Sequence, residues 1–565
     1  MISSSTWVPR GYASEFPEKY ELNDEEMERI NQMANLELND AKEDLAEAQK
    51  TSKLKEQIEI DDDLKEYDLE NYDNDDIDET GEKITMFPGL SNTSAKIHDN
   101  NDAEDGDDDE SNDVYLTLPN EIDEQEEKKE NQIYPTDNLV LATRTEDDIS
   151  WLDIYIYDDG AGAPNGAEEE EEDKLDADVA NGLYRDSTLY VHHDIMLPAF
   201  PLCVEWINYI PGQGSEVEGS NIGNFAAVGT FDPQIELWNL DYVDKAFPDV
   251  ILGDASTINK KNKKKKKSGH VTTHHTDAVL SLSHNKIHRS VLASTSADTT
   301  VKLWDLNTET AVRSLNQIHH GKTVSSSQWH SHEASILLTG GYDSKAAISD
   351  VRISDESQMS KYYSVAKGEE VENIRWGSKP DIFYVGTDQG NVYCFDIKNE
   401  SKPLWTLHAH DAGISSLNIN NYISGMLVTS AMGDKSIKLW KAPETNVGSG
   451  PTMILSRDFG VGNVLTTSYA NDIEVAGNLV IGGVTSGLKM WDTFSNRSVK
   501  NGFKDGLRNL QIKAREEAKL SGRASRIARK YQQDSTDAIL EAEGGKDDES
   551  EEEDDEEEGE FEDEE

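Results

Sequence analysis

The 565-residue sequence predicts an all-β core, a seven-bladed β-propeller, preceded by a long acidic arm and followed by a basic helix and an acidic tail. Three observations predict it. A short apolar strand that ends at an aromatic position returns seven times. The formal charge of −60 is crowded toward the two ends of the chain. Nine of the ten tryptophans fall between residues 134 and 502.

The ends come first. Residues 1–133 hold 41 acidic and 12 basic residues, and residues 534–565 hold 20 and 1. Such stretches bury too little apolar surface to offset ordering entropy, so both are expected to be largely disordered. Within the arm, Met27, Ile30, Met33, Leu38, Ala41, Leu45 and Leu54 recur at mostly helical spacing, which predicts an amphipathic helix near 25–55. Thr85–Leu90 is an apolar island in otherwise solvated linker. Trp7 is the one tryptophan left outside the expected core. With only Cys203 and Cys394 there is no disulfide framework, and no hydrophobic leader opens the chain, so a reducing nuclear or cytoplasmic compartment is expected.

The core, residues 134–502, carries the repeat. IELWN, VKLWD, IKLWK and LKMWD are its clearest copies, and IYIYD, AAISD and VYCFD its weaker ones. The position held by Trp in the best copies falls at 157, 238, 304, 349, 395, 440 and 491. Three successive steps are near 45 residues. The two longest steps contain GAGAPNGAEEEEEDK (near 159–180) and NKKNKKKKKSG (near 259–269), which read as loop insertions. Asp232, Asp298, Asp343 and Asp434 stand six residues before the aromatic position, where a turn aspartate can accept backbone N–H groups. Upstream lies a further strand, often with Trp: CVEWINY, SSSQWHS, ENIRWGS. Each unit therefore reads as four short antiparallel strands. Pairing of strands within 134–158 against strands near 455–492 is expected to close the ring.

This pattern resembles the WD40 repeat, and seven copies imply a seven-bladed WD40 propeller. By that resemblance His275, Ser294, Asp298 and Trp304 form one structural hydrogen-bond tetrad, and His410, Ser430, Asp434 and Trp440 a second. Ser349, Phe395 and Tyr157 depart from the Trp, and Thr485 from the Asp.

No catalytic constellation emerges. GKTVSS (321–326) lacks the glycine spacing of a phosphate loop. The pairs His192/His193, His274/His275 and His319/His320 have no Cys or His partners at metal-finger spacing, so they read as tetrad or loop histidines. Neither an enzyme, a cofactor, a metal, a membrane nor a small-molecule substrate is expected.

Charge supplies the functional expectations. Lys260, Lys261, Lys263, Lys264, Lys265, Lys266 and Lys267 crowd one inserted loop, which suits nuclear import or sequence-blind contact with phosphates. Residues 503–533 read as a basic helix whose Arg508, Lys513, Arg515, Lys519, Arg523, Arg526, Arg529 and Lys530 are expected to lie along RNA. Ser550, followed by three glutamates, is a candidate phosphorylation site.

The opening block STWVPRGYASEFPEKYELNDEEMERI, the block LVLATRTEDDISWLDIYIYD and the repeat array together resemble the periodic tryptophan proteins, nearly end to end. That resemblance implies a nuclear, nucleolar factor for assembly of the large ribosomal subunit. Its partners would be pre-ribosomal RNA, other pre-60S assembly factors and ribosomal proteins, and it would support rRNA processing without cleaving RNA. A histone-binding chromatin adaptor and a ubiquitin-ligase substrate receptor use the same fold and stand as alternatives.

Overall fold

A computed structural model describes residues 1–20, 131–160, 187–213, 221–254, 270–399, 402–444, 450–485, 487–520, 525–531 and 539–541. The helix expected near 25–55, the Thr85–Leu90 island, the lysine run 260–267, Arg523 and Ser550 lie outside them.

Seven four-stranded antiparallel sheets form the blades. Their inner strands are Ile2–Val8, Pro201–Ile207, Val279–His284, Val324–Trp329, Val371–Trp376, Ile414–Ile419 and Val464–Tyr469. Each inner strand lies against the next around the ring, and the last lies against the first. Seven apolar clusters fill the seams between neighbouring blades.

The ring closes differently from the sequence expectation. Residues 134–158 do not pair with strands near 455–492. The inner strand of blade 1 is Ile2–Val8, which pairs with Asn138–Glu146 across more than 120 residues of intervening chain. Residues 2–8 therefore belong to the propeller and not to the arm, and Trp7 is a core residue at 1% exposure. The outermost strand of blade 7 also comes from outside the predicted boundary. It is Ile539–Glu541, drawn from the segment read as acidic tail, and it pairs with Lys489–Trp491.

Polar side chains join the inner strands laterally. Ser4, Ser281 and Ser416 accept from the backbone N–H groups of Val204, Ser327 and Thr467 on the next blade, at 3.3, 3.1 and 3.1 Å. One layer along, Glu205, Ser283 and Gln328 accept from His284, Trp329 and Trp376 at 3.3, 3.1 and 2.7 Å. Inner strands in a ring are not paired to one another by backbone, so these side chains satisfy N–H groups that would otherwise be stranded. Arg375 holds the equivalent place in blade 5 and has no acceptor to offer; Ile419 N–H is taken instead by its neighbour Asn418.

Antiparallel connections alternate between two faces. The upper face carries the turns between second and third strands and the links from one blade to the next. The lower face carries the links between first and second and between third and fourth strands. Three helices on the lower face, Arg497–Gly502, Lys504–Leu520 and Ile527–Lys530, interrupt blade 7 between its third and fourth strands.

Candidate nucleic-acid interface

The basic segment after residue 502 is helical, as its sequence predicts, and it is docked. Leu507, Leu510, Ala514 and Ala518 form its buried stripe. With Val499, Phe503, Ile527 and Tyr531, the first three of these join the cluster that also holds Ile423, Tyr469 and Phe494 of blades 6 and 7. The apolar stripe reads as ragged in the sequence because two of its members are alanines. Ile512 and Leu520, which look like stripe residues, are 45% and 89% exposed.

Docking divides the predicted basic residues into two groups. Lys504, Arg508, Arg515 and Lys519 are exposed and follow one another at steps of four, seven and four, so they share a single edge of the helix spanning about 22 Å. Arg515 also donates to Ala528 O at 3.1 Å. Asp505 and Glu516 lie beside this edge, three residues from Arg508 and Lys519, whereas Lys513 and Glu517 are exposed on the far side of the helix.

Arg526 and Lys530 are not available for RNA. Lys530 Nζ lies 2.8 Å from Asp492, which also accepts from the Tyr531 hydroxyl at 2.8 Å. Burial pulls the Lys530 ammonium down, but Asp492 outweighs it and holds the ammonium above its usual range. Arg526 Nη1 stands 3.8 Å from Asp159, a carboxylate that Arg10 approaches to 2.5 Å. Arg10 also reaches Asp472 at 3.5 Å. Glu474 accepts from Ser525 Oγ and from the N–H groups of Arg526 and Ile527, satisfying the start of the last helix. These charges tie the N-terminal segment, blade 1, blade 7 and the C-terminal helices together. Buried cations within reach of carboxylates serve the fold before they serve a ligand. Arg529 lies in the last helix, but its side chain is outside the described set.

The lysine run falls within 255–269, outside the described residues; the described ends of that link, Asp254 and His270, belong to the connection from blade 2 to blade 3, which starts on the upper face. The helix lies on the lower face.

The tetrad residues are structural. His275 Nδ1 lies 2.9 Å from Asp298, its Nε2 lies 2.7 Å from Ser294 Oγ, and Trp304 Nε1 donates to the same hydroxyl at 2.8 Å. Burial lowers the His275 pKa; the His275 contact then outweighs burial at Asp298 and depresses its carboxyl. In blade 6 the hydroxyl is Thr429 and not Ser430. Thr429 Oγ1 stands 2.9 Å from both His410 Nε2 and Trp440 Nε1, while Ser430 Oγ pairs with Ser415. Side chains alternate across a strand, so a one-residue slip turns Ser430 to the other face. The turn here holds one residue more than in blade 3, absorbed at Gly433 with φ +83°. Blade 4 holds a third, reduced set: His319 lies 2.9 Å from Asp343 and 2.9 Å from Thr339 Oγ1, and Ser349 leaves it without an indole. His192 and His193 face each other, Nδ1 to Nδ1, at 2.7 Å. Among the described residues no group of three or more His, Cys, Asp or Glu could hold a metal ion, and no helix is long and apolar enough to cross a membrane.

The WD domain, G-beta repeat family matches residues 266–305 and 401–441, the two stretches that carry the full tetrads. Periodic tryptophan protein 1 of Saccharomyces cerevisiae is 58% identical over 97% of this chain and 98% of its own length. The chain belongs to the periodic tryptophan protein 1 family. An uncharacterized WD repeat-containing protein of Schizosaccharomyces pombe is 36% identical over 89% of this chain and 91% of its own. The Drosophila melanogaster periodic tryptophan protein 1 homolog is 30% identical over 78% and 83%. The likeness to this family covers the ends as well as the repeats, which a shared propeller alone would not require.

Proposed function

We propose that this member of the periodic tryptophan protein 1 family is a non-enzymatic assembly factor of the large ribosomal subunit. It acts in the nucleolus as a scaffold on pre-60S particles, supports pre-rRNA processing, and joins ribosomal proteins and other assembly factors to precursor rRNA. The observation that carries the RNA contact is the exposed basic edge Lys504, Arg508, Arg515 and Lys519, fixed on a rigid face by a buried stripe. A row of cations on a docked helix suits phosphate contact, which positions a protein without reading bases. The lysine run 260–267 supplies a second basic element, for RNA or for import. The end-to-end resemblance supports the ribosomal reading over the chromatin and ubiquitin-ligase readings.

In-cell ultraviolet crosslinking of the tagged chain, with sequencing of the attached RNA, tests the proposal. Crosslinks should concentrate in large-subunit precursor rRNA. Replacing the four edge residues by glutamine should reduce them at least tenfold, with the melting temperature unchanged. In vitro, the same variant should flatten the salt dependence of RNA binding, because each lost phosphate contact removes released counterions. Absence of rRNA enrichment would overturn the reading, and a histone-peptide pulldown would then test the chromatin alternative.

A further inference from the structure

Blade 1 is taller than the others. Its second to fourth strands span 9, 10 and 10 residues, where those of blade 3 span 6, 5 and 6. The surplus projects on the upper face. Ile149 begins the third strand eight residues before the aromatic position Tyr157, whereas Lys345 begins that of blade 4 four residues before Ser349. Four extra residues raise a lip of about 13 Å above the ring. The lip is braced by Arg144, which lies 4.4 Å over the Trp151 ring and 2.7 Å from Asp153.

The tip of the lip is Asp147–Asp148, with φ of 47° and 69°. A two-residue hairpin turn with both φ values positive favours Asn-Gly, so two aspartates hold it at a cost in strain. Both side chains are exposed, and neither has a hydrogen-bond or ion-pair partner among the described residues. Between the lip and the link that leads into blade 2 runs a cleft of about 640 Å³, lined by these aspartates with Ile149, Leu197, Pro198 and Phe200. Phe200 lies 5.3 Å from Phe231, which is 59% exposed, and Ile149 and Met196 are 46% and 61% exposed. Apolar exposure gathered around one cleft marks an interaction site more than a scatter of single residues does.

We propose that this cleft docks an extended segment of a partner protein in which arginine or lysine alternates with apolar residues. Charge selects the occupant. No lysine or arginine lines the cleft; the Met1 amine there, which donates to Thr145 O at 2.5 Å, is outnumbered by the two aspartates. Arg144 is held by Asp153, Glu146 and Trp151. Asp147 and Asp148 are left to meet a cation from outside. The same charge repels phosphate, so the occupant is a peptide and not RNA. The aliphatic and aromatic walls take the residues between its charges. This site is independent of the RNA edge, which lies on the opposite face.

Fluorescence anisotropy on the full chain, with a labelled peptide of alternating arginine and leucine, provides the test. Its glutamate–leucine counterpart is the control. The variant D147N/D148G installs the residues this turn prefers, so it removes both charges without endangering the fold. Phe200→Ala removes the aromatic wall of the cleft. Each should weaken binding of the arginine peptide at least tenfold, whereas truncating residues 542–565 should leave that sensitivity intact. Equal binding by the parent and D147N/D148G, no preference for arginine over glutamate, or binding lost entirely with the tail would overturn the proposal.

Discussion

The junctions inside the ring and the seam between blades 7 and 1 use the same bond but draw on different distances along the chain. Trp329 donates its indole N–H to Ser283 O at 3.0 Å, and Trp376 donates to Gln328 O at 3.2 Å. Both bonds join consecutive blades, 46 and 48 residues apart. At the seam Trp7 donates to Ser468 O at 3.0 Å, the equivalent bond made across 461 residues. Interior junctions add lateral polar bonds and an apolar cluster, and short links hold their strands near one another. The seam adds ion pairs, the Arg10–Asp159–Asp472 group, while the Asp492–Lys530–Tyr531 group and the helices fasten the C-terminal segment to blades 6 and 7. Long-range closure costs more chain entropy, and the added ion pairs sit where that cost falls.

The largest expected effect is at the tryptophans. Trp7→Ala should destabilise the chain by about 3–5 kcal/mol, the usual range for removing a buried Trp. Trp329→Ala should cost a similar amount, measured by urea denaturation. What should distinguish them is exchange: Trp7→Ala should release the amides of residues 2–8 and 464–469 together, with blades 3–5 still protected. Uniform loss of protection would break the comparison and make the ring one cooperative unit.

Next comes the acid that fastens the C-terminal segment. Asp492→Asn keeps the size but removes the charge facing Lys530, and should cost about 1–3 kcal/mol. The last helix should then become accessible to protease at Arg526 or Lys530. If cleavage there is unchanged, the fastening is apolar and the charges contribute little.

The smallest effect is in pH, and it has opposite signs at the two places. Burial lowers His284, on the interior inner strand of blade 3, to about 4, so it stays neutral in the fold. The unfolded chain takes up that proton first, so stability at this site falls as pH drops below about 6.5 and stops falling near 4. Asp137 at the seam is raised to about 7, by burial first and then by Asp158. The folded chain takes up that proton first, so stability there rises as pH falls from about 7 toward 4. In melting temperatures between pH 8 and 5, His284→Gln should blunt the acid loss, and Asp137→Asn should remove the opposing gain.

How much of this was legible depends on where each residue sits. The repeat spacing alone located the third strands of all seven blades. The inner strand of blade 1 was also legible, since SSSTW at 3–7 nearly repeats SSSQW at 325–329; its distance from the next strand hid it. Ile539–Glu541 follows more than 40 residues of helix and connection inside an acidic stretch, and three residues give no period to read. For the basic helix, the residue types pointed correctly to a helix, but only packing shows that Arg526 and Lys530 face inward while Lys504 and Arg508 face out. The Thr429 tetrad was misplaced by one position because the turn length of blade 6 cannot be read from the Asp–Trp spacing it shares with blade 3. The acidic lip of blade 1 lies in the block LVLATRTEDDISWLDIYIYD, whose longer strands set it apart from the shorter units.

The strand that closes the ring has a consequence for synthesis. Ile2–Val8 leaves the ribosome well before its lateral neighbour Val464–Tyr469, which follows roughly 460 residues later. At about 5–20 residues per second this is an interval of roughly 20–90 s. Throughout it, Trp7 and Ile2, both buried in the finished molecule, have only part of their final environment. A nascent chain of this kind can pair this strand with Asn138–Glu146 early but leaves Trp7 and Ile2 without their blade 7 neighbours for most of its translation, and a chaperone that shields those residues would govern the yield of closed rings.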